Sequence, residues 1–477
     1  MEVLTNGVPP LNYCHFFKGT TPFPYKKFVI WKTFTFLKCM LFQKAPIQKG
    51  GGHSTKQTKN MMKKVLVITG IVAGLLCSCQ PQSKSQQQET EGAKIELWNM
   101  SDSISSLKRL QKWEAYVEKH PKDEMGWRNL YDAKTRHMIW HKPKDFDYER
   151  KEFMQQVEKA IPNTYTYYLL AMETAIEYTK IKKYAEEAMK RLPEQPLKED
   201  YEIWCCYLCD KDQKRLKDML TRYYESGLMS PDILYYHYNE MQGMEEGGIY
   251  YAQTEQEIVP KKMIQLVFGM HRDKILVNEN DDWAHIWKLC GVPFPDENWA
   301  ETVQMDTDNP SIYFATRALM MVDWIAEHSQ RPVYISSFDS WINSKRYASK
   351  LPKEMLKNLY NEGLLLRYSS EPYDNIAATC RNVEERYQLD YLYLPFSPLR
   401  DNEHYWSDAT DCAYRTIVLL QGILPHYQKY NPQRCHWLSG LLLKTIDRWR
   451  KVYNKESLSS LESEIRPFFE ATTSTAP

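Results

Sequence analysis

The stretch "GGIYYAQTEQEIVPKKMIQLVFGMHRDKILVNENDD", residues 247–282, contains two short apolar runs with an amphipathic segment between them. The runs GGIYYAQ and KILVN are rich in β-branched and aromatic residues, which favour strands. The segment 258–268 has helical periodicity, and Pro260 lies near its start, where proline is tolerated. A strand, a helix and a second strand in this order predict a β-α-β unit.

The same alternation continues toward the C-terminus. The segment 312–328 has helical periodicity and precedes the run RPVYISS, and a helix predicted over 353–361 precedes the run GLLLRYSS. Strands that alternate with helices predict a small α/β domain, residues 244–400, with a mostly parallel sheet. Residues 401–477 return to helical periodicity and predict a C-terminal helical region.

The region before this stretch, residues 101–243, is helical by its periodicity. Pro121, Pro162 and Pro193 each follow an amphipathic run and end it, since proline cannot continue a helix. Apolar residues stand eight and five positions before these prolines, and aromatic residues stand six positions after the first two: Trp113, Tyr116, Met154, Val157, Ala185, Ala188, Trp127 and Tyr168.

This spacing resembles the tetratricopeptide repeat, in which an aromatic residue opens one helix and a proline closes the next. The intervals between the prolines are irregular, and Glu199 stands where a third aromatic would fall. We therefore expect tetratricopeptide-like helical hairpins, and a chain of mixed α and α/β class overall. The resemblance implies a surface that binds another protein.

An export signal lies more than sixty residues into the chain. Lys63 and Lys64 precede the apolar run 65–76, which is too short to span a bilayer, and a small residue, Ser78, precedes Cys79. The order of residues 76–79 resembles a bacterial lipobox, which implies that Cys79 is acylated and begins the mature chain after removal of a signal peptide, residues 61–78. Cys77 is the rival acceptor, and a buried helix with a chance cysteine is the alternative interpretation.

The residues on either side of the signal fit this interpretation. Residues 79–100 are rich in Gln, Ser, Pro and Glu and predict a flexible tether. Residues 1–60 show no sustained periodicity, so we expect an upstream extension from a wrong start codon, with Met61 or Met62 as the true start; a genuine basic leader is the alternative. Gln80 after the acylated cysteine favours the outer membrane over the inner one.

Charge and cysteine usage limit the function further. The whole chain is formally +1, residues 1–60 contribute +8 and Lys63 with Lys64 another +2, which leaves about −9 after Cys79. An acidic protein lacks the electrostatic footprint of a nucleic-acid binder. The seven later cysteines have no framework spacing, which favours mostly buried thiols, with an occasional disulfide in an oxidising envelope.

Residues 245–450 carry a second resemblance. The stretches LMMVDWIAEHSQRPVYIS, NEGLLLRY and AYRTIVLLQGIL resemble the soluble C-terminal region of a Bacteroidetes family of membrane proteins that is itself similar to protein O-mannosyltransferases. The family has an acidic Asn-Gly-Asp-Asn-Asp-like turn where this chain reads 252–257 without the glycine, and its membrane helices are missing from this sequence. The resemblance thus implies fold and envelope location, and argues against glycosyl transfer by this chain alone.

Short motifs for metal or redox chemistry are incomplete. Cys206 and Cys209 have CxxC spacing, but a structural zinc site needs a second pair, which the sequence lacks. His137 and His141 stand one helical turn apart, yet Met138 occupies the place of the metalloprotease glutamate. We predict buried thiols, structural histidines and no cofactor or metal.

Candidate ligand residues lie in or after the first two predicted strands, near the usual ligand edge of an open α/β sheet. They are Tyr250, Glu255, Glu257, Asp281, Asp282 and Trp283. The acidic runs 278–282 and 306–310 lack the glycine and glutamate of a calcium loop.

Two functions are consistent with the sequence. The first is a non-catalytic envelope protein that holds a protein partner through its helices and the membrane through the lipid on Cys79. The alternative is a carbohydrate-binding or carbohydrate-active protein, which would use Tyr250 and Trp283 as platforms or Glu255 or Glu257 with an acid near Asp281 as a carboxylate pair.

Overall fold

The computed structural model describes residues 103–141, 146–209, 211–252, 254–279, 281–296, 299, 310–336, 349–392, 403–450 and 455–473. The chain divides into two compact units, one with the helices before Pro196 and one with the sheet and the helices after Leu197. This division precedes residue 244, where the sequence predicts the change from helices to strands. The predicted signal peptide, Cys79 and the tether lie outside the described residues.

The first unit is helical, as predicted. Its helices are α1 (Ser103–Lys119), α2 (Glu124–His141), α3 (Phe146–Ala160), α4 (Tyr165–Thr174) and α5 (Tyr178–Lys190). The helices α1, α3 and α5 end shortly before Pro121, Pro162 and Pro193. The prolines therefore end helices where the sequence predicts it.

The two tryptophans at the predicted repeat positions belong to the core of the first unit. Trp113 and Trp127 are buried together with Phe153 and Val157, and the indole Nε1 of Trp127 donates to the carbonyl oxygen of Pro121 at 3.0 Å. These contacts explain the aromatic spacing by packing between helices. The tetratricopeptide-like repeat itself stays a prediction.

The second unit is mostly helical and contains one sheet. Its elements are α6 (Lys198–Leu208), α7 (Gln213–Glu225), α8 (Pro231–Gly243), β1 (Ile249–Ala252), α9 (Glu255–Leu266), β2 (Ile275–Asn278), α10 (Trp283–Cys290), α11 (Pro310–Ser329), β3 (Val333–Ser336), α12 (Lys353–Leu356), β4 (Leu359–Asn361), β5 (Leu365–Tyr368), α13 (Asn375–Arg381), α14 (Glu403–Gln421), α15 (Leu424–Tyr430), α16 (Pro432–Arg450) and α17 (Lys455–Thr473).

The sheet has five strands in the order β2-β1-β3-β5-β4 and is mixed. The strand β1 is parallel to β2 and to β3, whereas β5 is antiparallel to both β3 and β4. The expectation of a mostly parallel sheet therefore describes only the half that contains the β-α-β unit. The other half is antiparallel because β4 and β5 are joined by a tight turn, which reverses the chain.

The predicted helix over 353–361 is wrong in its second half. Helix α12 ends at Leu356, and residues 359–361 form β4. The turn that follows requires Gly363, whose φ is +83°, and its N–H donates to Asn361 Oδ1 at 2.9 Å. A left-handed glycine and an asparagine side chain that caps the turn favour a hairpin over a continued helix.

Successive residues of β1 point to opposite faces of the sheet. Ile249 and Tyr251 belong to one core cluster with Val277, Trp287 of α10 and Leu319 of α11. Tyr250 points the other way, where its hydroxyl meets α9. The sheet is therefore covered by α10 and α11 on one face, called here the α10/α11 face, and by α9 on the other.

The seven later cysteines do not form disulfides with one another. The seven cysteines from Cys205 to Cys435 are in the thiol form, and five of them are buried. Burial raises the pKa of the Cys435 thiol to about 11. The occasional disulfide that the sequence allows is not formed among these residues.

In the described part of the chain, every helix is too short or too polar to cross a bilayer.

Candidate functional site at the carboxyl edge of the sheet

The carboxyl ends of β1 and β2 lie side by side. Ala252 is paired with Asn278 at the ends of the two strands, and Glu279 donates its backbone N–H to the carbonyl oxygen of Ala252 at 2.9 Å. Because β2 and β3 lie on opposite sides of β1, the chain changes its direction of winding at β1. Ligands of open α/β sheets bind at such carboxyl edges.

The two aspartates after β2 shape the turn and the next helix. Asp281 accepts a hydrogen bond from the backbone N–H of Asn278 at 3.1 Å. Asp282 is exposed and caps α10, where its Oδ1 accepts from the N–H of His285 at 3.2 Å. A carboxylate at this position also interacts favourably with the helix dipole. The turn after β2 therefore accounts for Asp281, and the cap of helix α10 accounts for Asp282.

An ion pair that the sequence did not indicate lies beside this turn. Arg317 of α11 donates from Nη2 to Glu279 Oε1 at 2.9 Å, and the two side chains are 4% and 10% exposed. Arg317 is the only charged residue in the largely apolar segment of α11 from Ala315 to Met321. A buried charge needs a partner, so this isolated arginine was the signal in the sequence, although its partner could not be identified there.

Trp283 lies next to the ion pair. Its ring is half-buried, the Arg317 guanidinium carbon is 5.5 Å from the ring centroid, and the rings of Trp287 and Trp299 meet it edge-on. A cation over an indole face is favourable. Of the predicted ligand residues, Trp283 is therefore the one whose aromatic surface is partly accessible at the carboxyl edge.

Tyr251 stands on the α10/α11 face, beneath the ion pair. Its side chain is fully buried, and its hydroxyl has no hydrogen-bond partner among the described residues. Burial raises the pKa of the phenol well above its usual value, and the carboxylate of Glu279 raises it further, while Arg317 lowers it. The hydroxyl of Tyr251 is therefore protonated and close to the charges of the ion pair.

Two further predicted residues, Tyr250 and Glu257, lie on the opposite face of the sheet. The Tyr250 hydroxyl donates to Glu257 Oε2 at 3.2 Å in the interior, and Lys261 Nζ lies 3.9 Å from the centroid of the Tyr250 ring. Tyr250 is fully buried and offers no platform to a sugar ring. The side chain of Glu255, also predicted, lies outside the described residues.

Lys261 belongs to a buried charge network that the sequence did not indicate. Its Nζ donates to Glu240 Oε2 at 2.5 Å, and His237 Nδ1 lies 2.8 Å from the same carboxylate oxygen. Lys261 and Glu240 are both fully buried. The network ties α8 to α9 beneath β1 and is closed to solvent, so we assign it a structural role.

The network fixes the charge states of its members. Burial, and then the charge of Lys261, lower the pKa of His237 to about 4, which keeps its imidazole neutral at pH 7. Burial raises the pKa of Glu240, but Lys261 and His237 outweigh this effect and leave it below the usual value. Glu240 is therefore ionised and neutralised by one cation.

The arrangement bears on one of the two predicted carboxylate pairs, Glu257 with an acid near Asp281, because the side chain of Glu255 lies outside the described residues. Glu257 is bonded to Tyr250 on one face of the sheet, whereas the charge of Asp281 acts on Tyr251, which lies on the other face. A glycosidase pair needs two carboxyl groups that converge on one bond, and these two do not converge. No group of three or more potential metal ligands occurs among the described residues.

The chain matches no protein family, no curated protein and no solved structure among those with which it was compared.

Proposed function

We propose that the chain is a lipid-anchored, non-catalytic binding protein of the bacterial cell envelope. The observation that carries this proposal is the order of residues 63–94: two lysines, an apolar run of export length, Ser78-Cys79, and a polar tether. Cys79 is the acylated first residue, residues 1–60 are not part of the mature product, and Gln80 slightly favours the outer membrane over the inner one. The tether lets the folded units stand away from the lipid surface.

Metabolic labelling tests the anchor. Cells that express the chain are grown with a clickable palmitate analogue, and the label on the protein is measured after membrane fractionation. We expect label and membrane association in the wild type and in Cys77→Ser, and the loss of both in Cys79→Ser. Equal label in Cys79→Ser and wild type would refute Cys79 as the acceptor.

The first unit is the proposed site of the protein partner. Its helices carry buried aromatic residues at the positions of a tetratricopeptide-like repeat, which supports stacked hairpins with a binding surface. On α1, the apolar side chains of Ile104 and Leu107 are 66% and 40% exposed. Large exposed apolar side chains near each other mark contact surfaces.

Crosslinking in intact envelopes tests this role. We expect one partner to be recovered reproducibly with the wild type and with a control, Lys108→Glu, which changes a charged residue of the same helix. The double variant Ile104→Glu and Leu107→Glu should lose that partner while its circular dichroism spectrum stays unchanged. Recovery of the partner by the folded double variant would exclude α1 as the contact.

A carbohydrate ligand is the second candidate function, and Trp283 is the observation that favours it. A partly accessible indole beside buried polar groups at a carboxyl edge suits the apolar face of a sugar ring and its hydroxyls. The resemblance to a family linked to mannosyl transfer also supports a glycan ligand. On a glycan array, Trp283→Ala should lose any signal that the wild type gives, whereas a blank array for the wild type would count against this function.

A further inference from the structure

The hydroxyl of Tyr251 is a feature that contacts within the described chain leave unexplained. The residue is fully buried on β1, and its hydroxyl lacks a hydrogen-bond partner among the described residues. A buried hydroxyl without a partner is destabilising, and most such groups in folded proteins are satisfied by protein or by a bound molecule. A phenylalanine would fill the same space without this penalty.

The register of the sheet shows which groups surround this hydroxyl. Tyr251 is paired with Val277, and both lie on the α10/α11 face. Glu279 follows directly after β2, and its N–H donates to the carbonyl oxygen of Ala252. Its side chain reaches the α10/α11 face, since it accepts a hydrogen bond from Arg317 of α11. The charges that act most strongly on the Tyr251 hydroxyl are those of Glu279, Arg317 and Asp281.

We propose that Tyr251, Glu279 and Arg317 form the inner wall of a binding site for a neutral, hydroxyl-rich ligand, a carbohydrate, with Trp283 at its outer side. The proposal rests on the second candidate function and places its site on the α10/α11 face. This site does not include the predicted ligand residues Tyr250 and Glu257, which are hydrogen-bonded to each other on the opposite face.

The chemistry of the wall selects the ligand class. The carboxylates of Glu279 and Asp281 outnumber the single guanidinium of Arg317, and the exposed Asp282 adds a third negative charge nearby. This balance disfavours a phosphate or another anion. Sugar hydroxyls can donate to a carboxylate and accept from a guanidinium or a phenol, so one hydroxylated ring can bond to all three groups of the wall and supply the Tyr251 hydroxyl with a partner.

Binding to the full-length mature protein in detergent tests the site. The probes are the methyl glycosides of mannose and glucose, N-acetylglucosamine, and inorganic phosphate, and the readouts are calorimetry and tryptophan fluorescence. We expect at least one sugar to bind and phosphate not to bind. Tyr251→Phe and Glu279→Gln should each weaken sugar binding by about tenfold or more, since each leaves a polar group of the ligand unpaired.

The matched control is Tyr250→Phe, which removes the neighbouring hydroxyl on the other face and should leave the affinity unchanged. Sugar binding that is equal in wild type, Tyr251→Phe and Glu279→Gln would overturn the inference and leave the carbohydrate function standing, with the Tyr251 hydroxyl bound to an internal water. Binding of phosphate that depends on Arg317 would overturn the choice of a neutral ligand. If the wild type binds none of the sugars, both the inference and the carbohydrate function fail.

Discussion

Two adjacent tyrosines of β1 differ in whether their hydroxyls have a hydrogen-bond partner. Tyr250 donates to Glu257 at 3.2 Å, whereas the hydroxyl of Tyr251 has no partner in the described part of the chain. Their neighbours in sequence are almost identical, so no pattern distinguishes them. Their difference follows from the alternation of a strand and from helices that lie elsewhere in the chain, which is why the sequence could not show which of the two hydroxyls has a partner inside the protein.

The two tyrosines should respond differently to the loss of the hydroxyl. Tyr250→Phe should destabilise the ligand-free protein by about 1–2 kcal/mol, because it removes a buried hydrogen bond to the carboxylate of Glu257. Tyr251→Phe should be neutral or slightly stabilising, because it removes a desolvated group that has no protein partner among the described residues. Denaturant unfolding of both variants measures the difference, and an equal loss in the two would contradict these assignments.

Lys261 should be indispensable to the buried network. Lys261→Met leaves the carboxylate of Glu240 buried without its cation, and we expect a loss of about 3–5 kcal/mol. Lys262→Met, at the neighbouring half-buried position, should change stability by no more than about 0.5 kcal/mol. Urea unfolding of the pair checks this prediction, and a mild effect of Lys261→Met would show that the site hydrates easily.

His237 should make the stability depend on pH. Its folded pKa of about 4 lies below the ordinary value of 6.5, so the unfolded chain takes up a proton where the folded chain does not. The stabilising contribution is complete above pH 6.5 and is lost as the pH falls toward 4. The difference in unfolding free energy between wild type and His237→Gln should therefore shrink over this range.

The difference in unfolding free energy between wild type and His237→Gln does not contain the pH dependence that other titrating groups cause in both proteins. Burial raises the pKa of Asp232 to about 6, which acts in the opposite direction but equally in wild type and variant. A difference that stays constant from pH 7 to pH 4 would mean that His237 is already charged in the folded protein.

At the scale of elements, the sequence predicted those helix ends and strands that depend on neighbouring residues. Three first-unit helices end before prolines because proline lacks an N–H. The strands β1, β2 and β3 form where β-branched and aromatic residues cluster, and β5 forms in a leucine-rich run. The strand β4 was missed because its three residues continue a helical pattern, and only pairing with β5 makes them a strand. Segments whose structure depends on a distant partner are the ones that a single sequence predicts poorly.

The turn between β4 and β5 gives a prediction at this scale. A Cβ on Gly363 would lie 2.8 Å from the hydroxyl oxygen of Tyr387, at a φ of +83°. Gly363→Ala therefore combines backbone strain with a steric clash, and we expect a loss of about 2–4 kcal/mol. The Tyr387 hydroxyl also accepts from the N–H of Leu364, so the clash disturbs the turn itself.

Gly291 provides the matched control for this turn. It has a φ of +71°, and a Cβ there would meet no atom within 4 Å. Gly291→Ala isolates the backbone term, which costs about 1–2 kcal/mol. Thermal unfolding should rank the variants in this order, and equal losses would mean that Tyr387 moves aside at no cost.

At the scale of the whole molecule, the proposed location and the candidate site depend on different kinds of signal. The order of charges, apolar residues and Cys79 is a local pattern, so one sequence suffices to propose an export signal from it. The candidate site is different in kind. Glu279 and Arg317 are 38 residues apart, and only the crossover from β2 to α11 brings them together, so neither could be assigned a role from its neighbours.

The mass of the N-terminal peptide of the mature protein, purified from membranes, tests the central claim most directly. We predict a chain that begins at Cys79 and carries the added mass of lipid on that residue. The same peptide from Cys77→Ser should carry the same lipid. A mature protein that retains residues 1–60, or one that begins at Cys79 without lipid, would contradict the account.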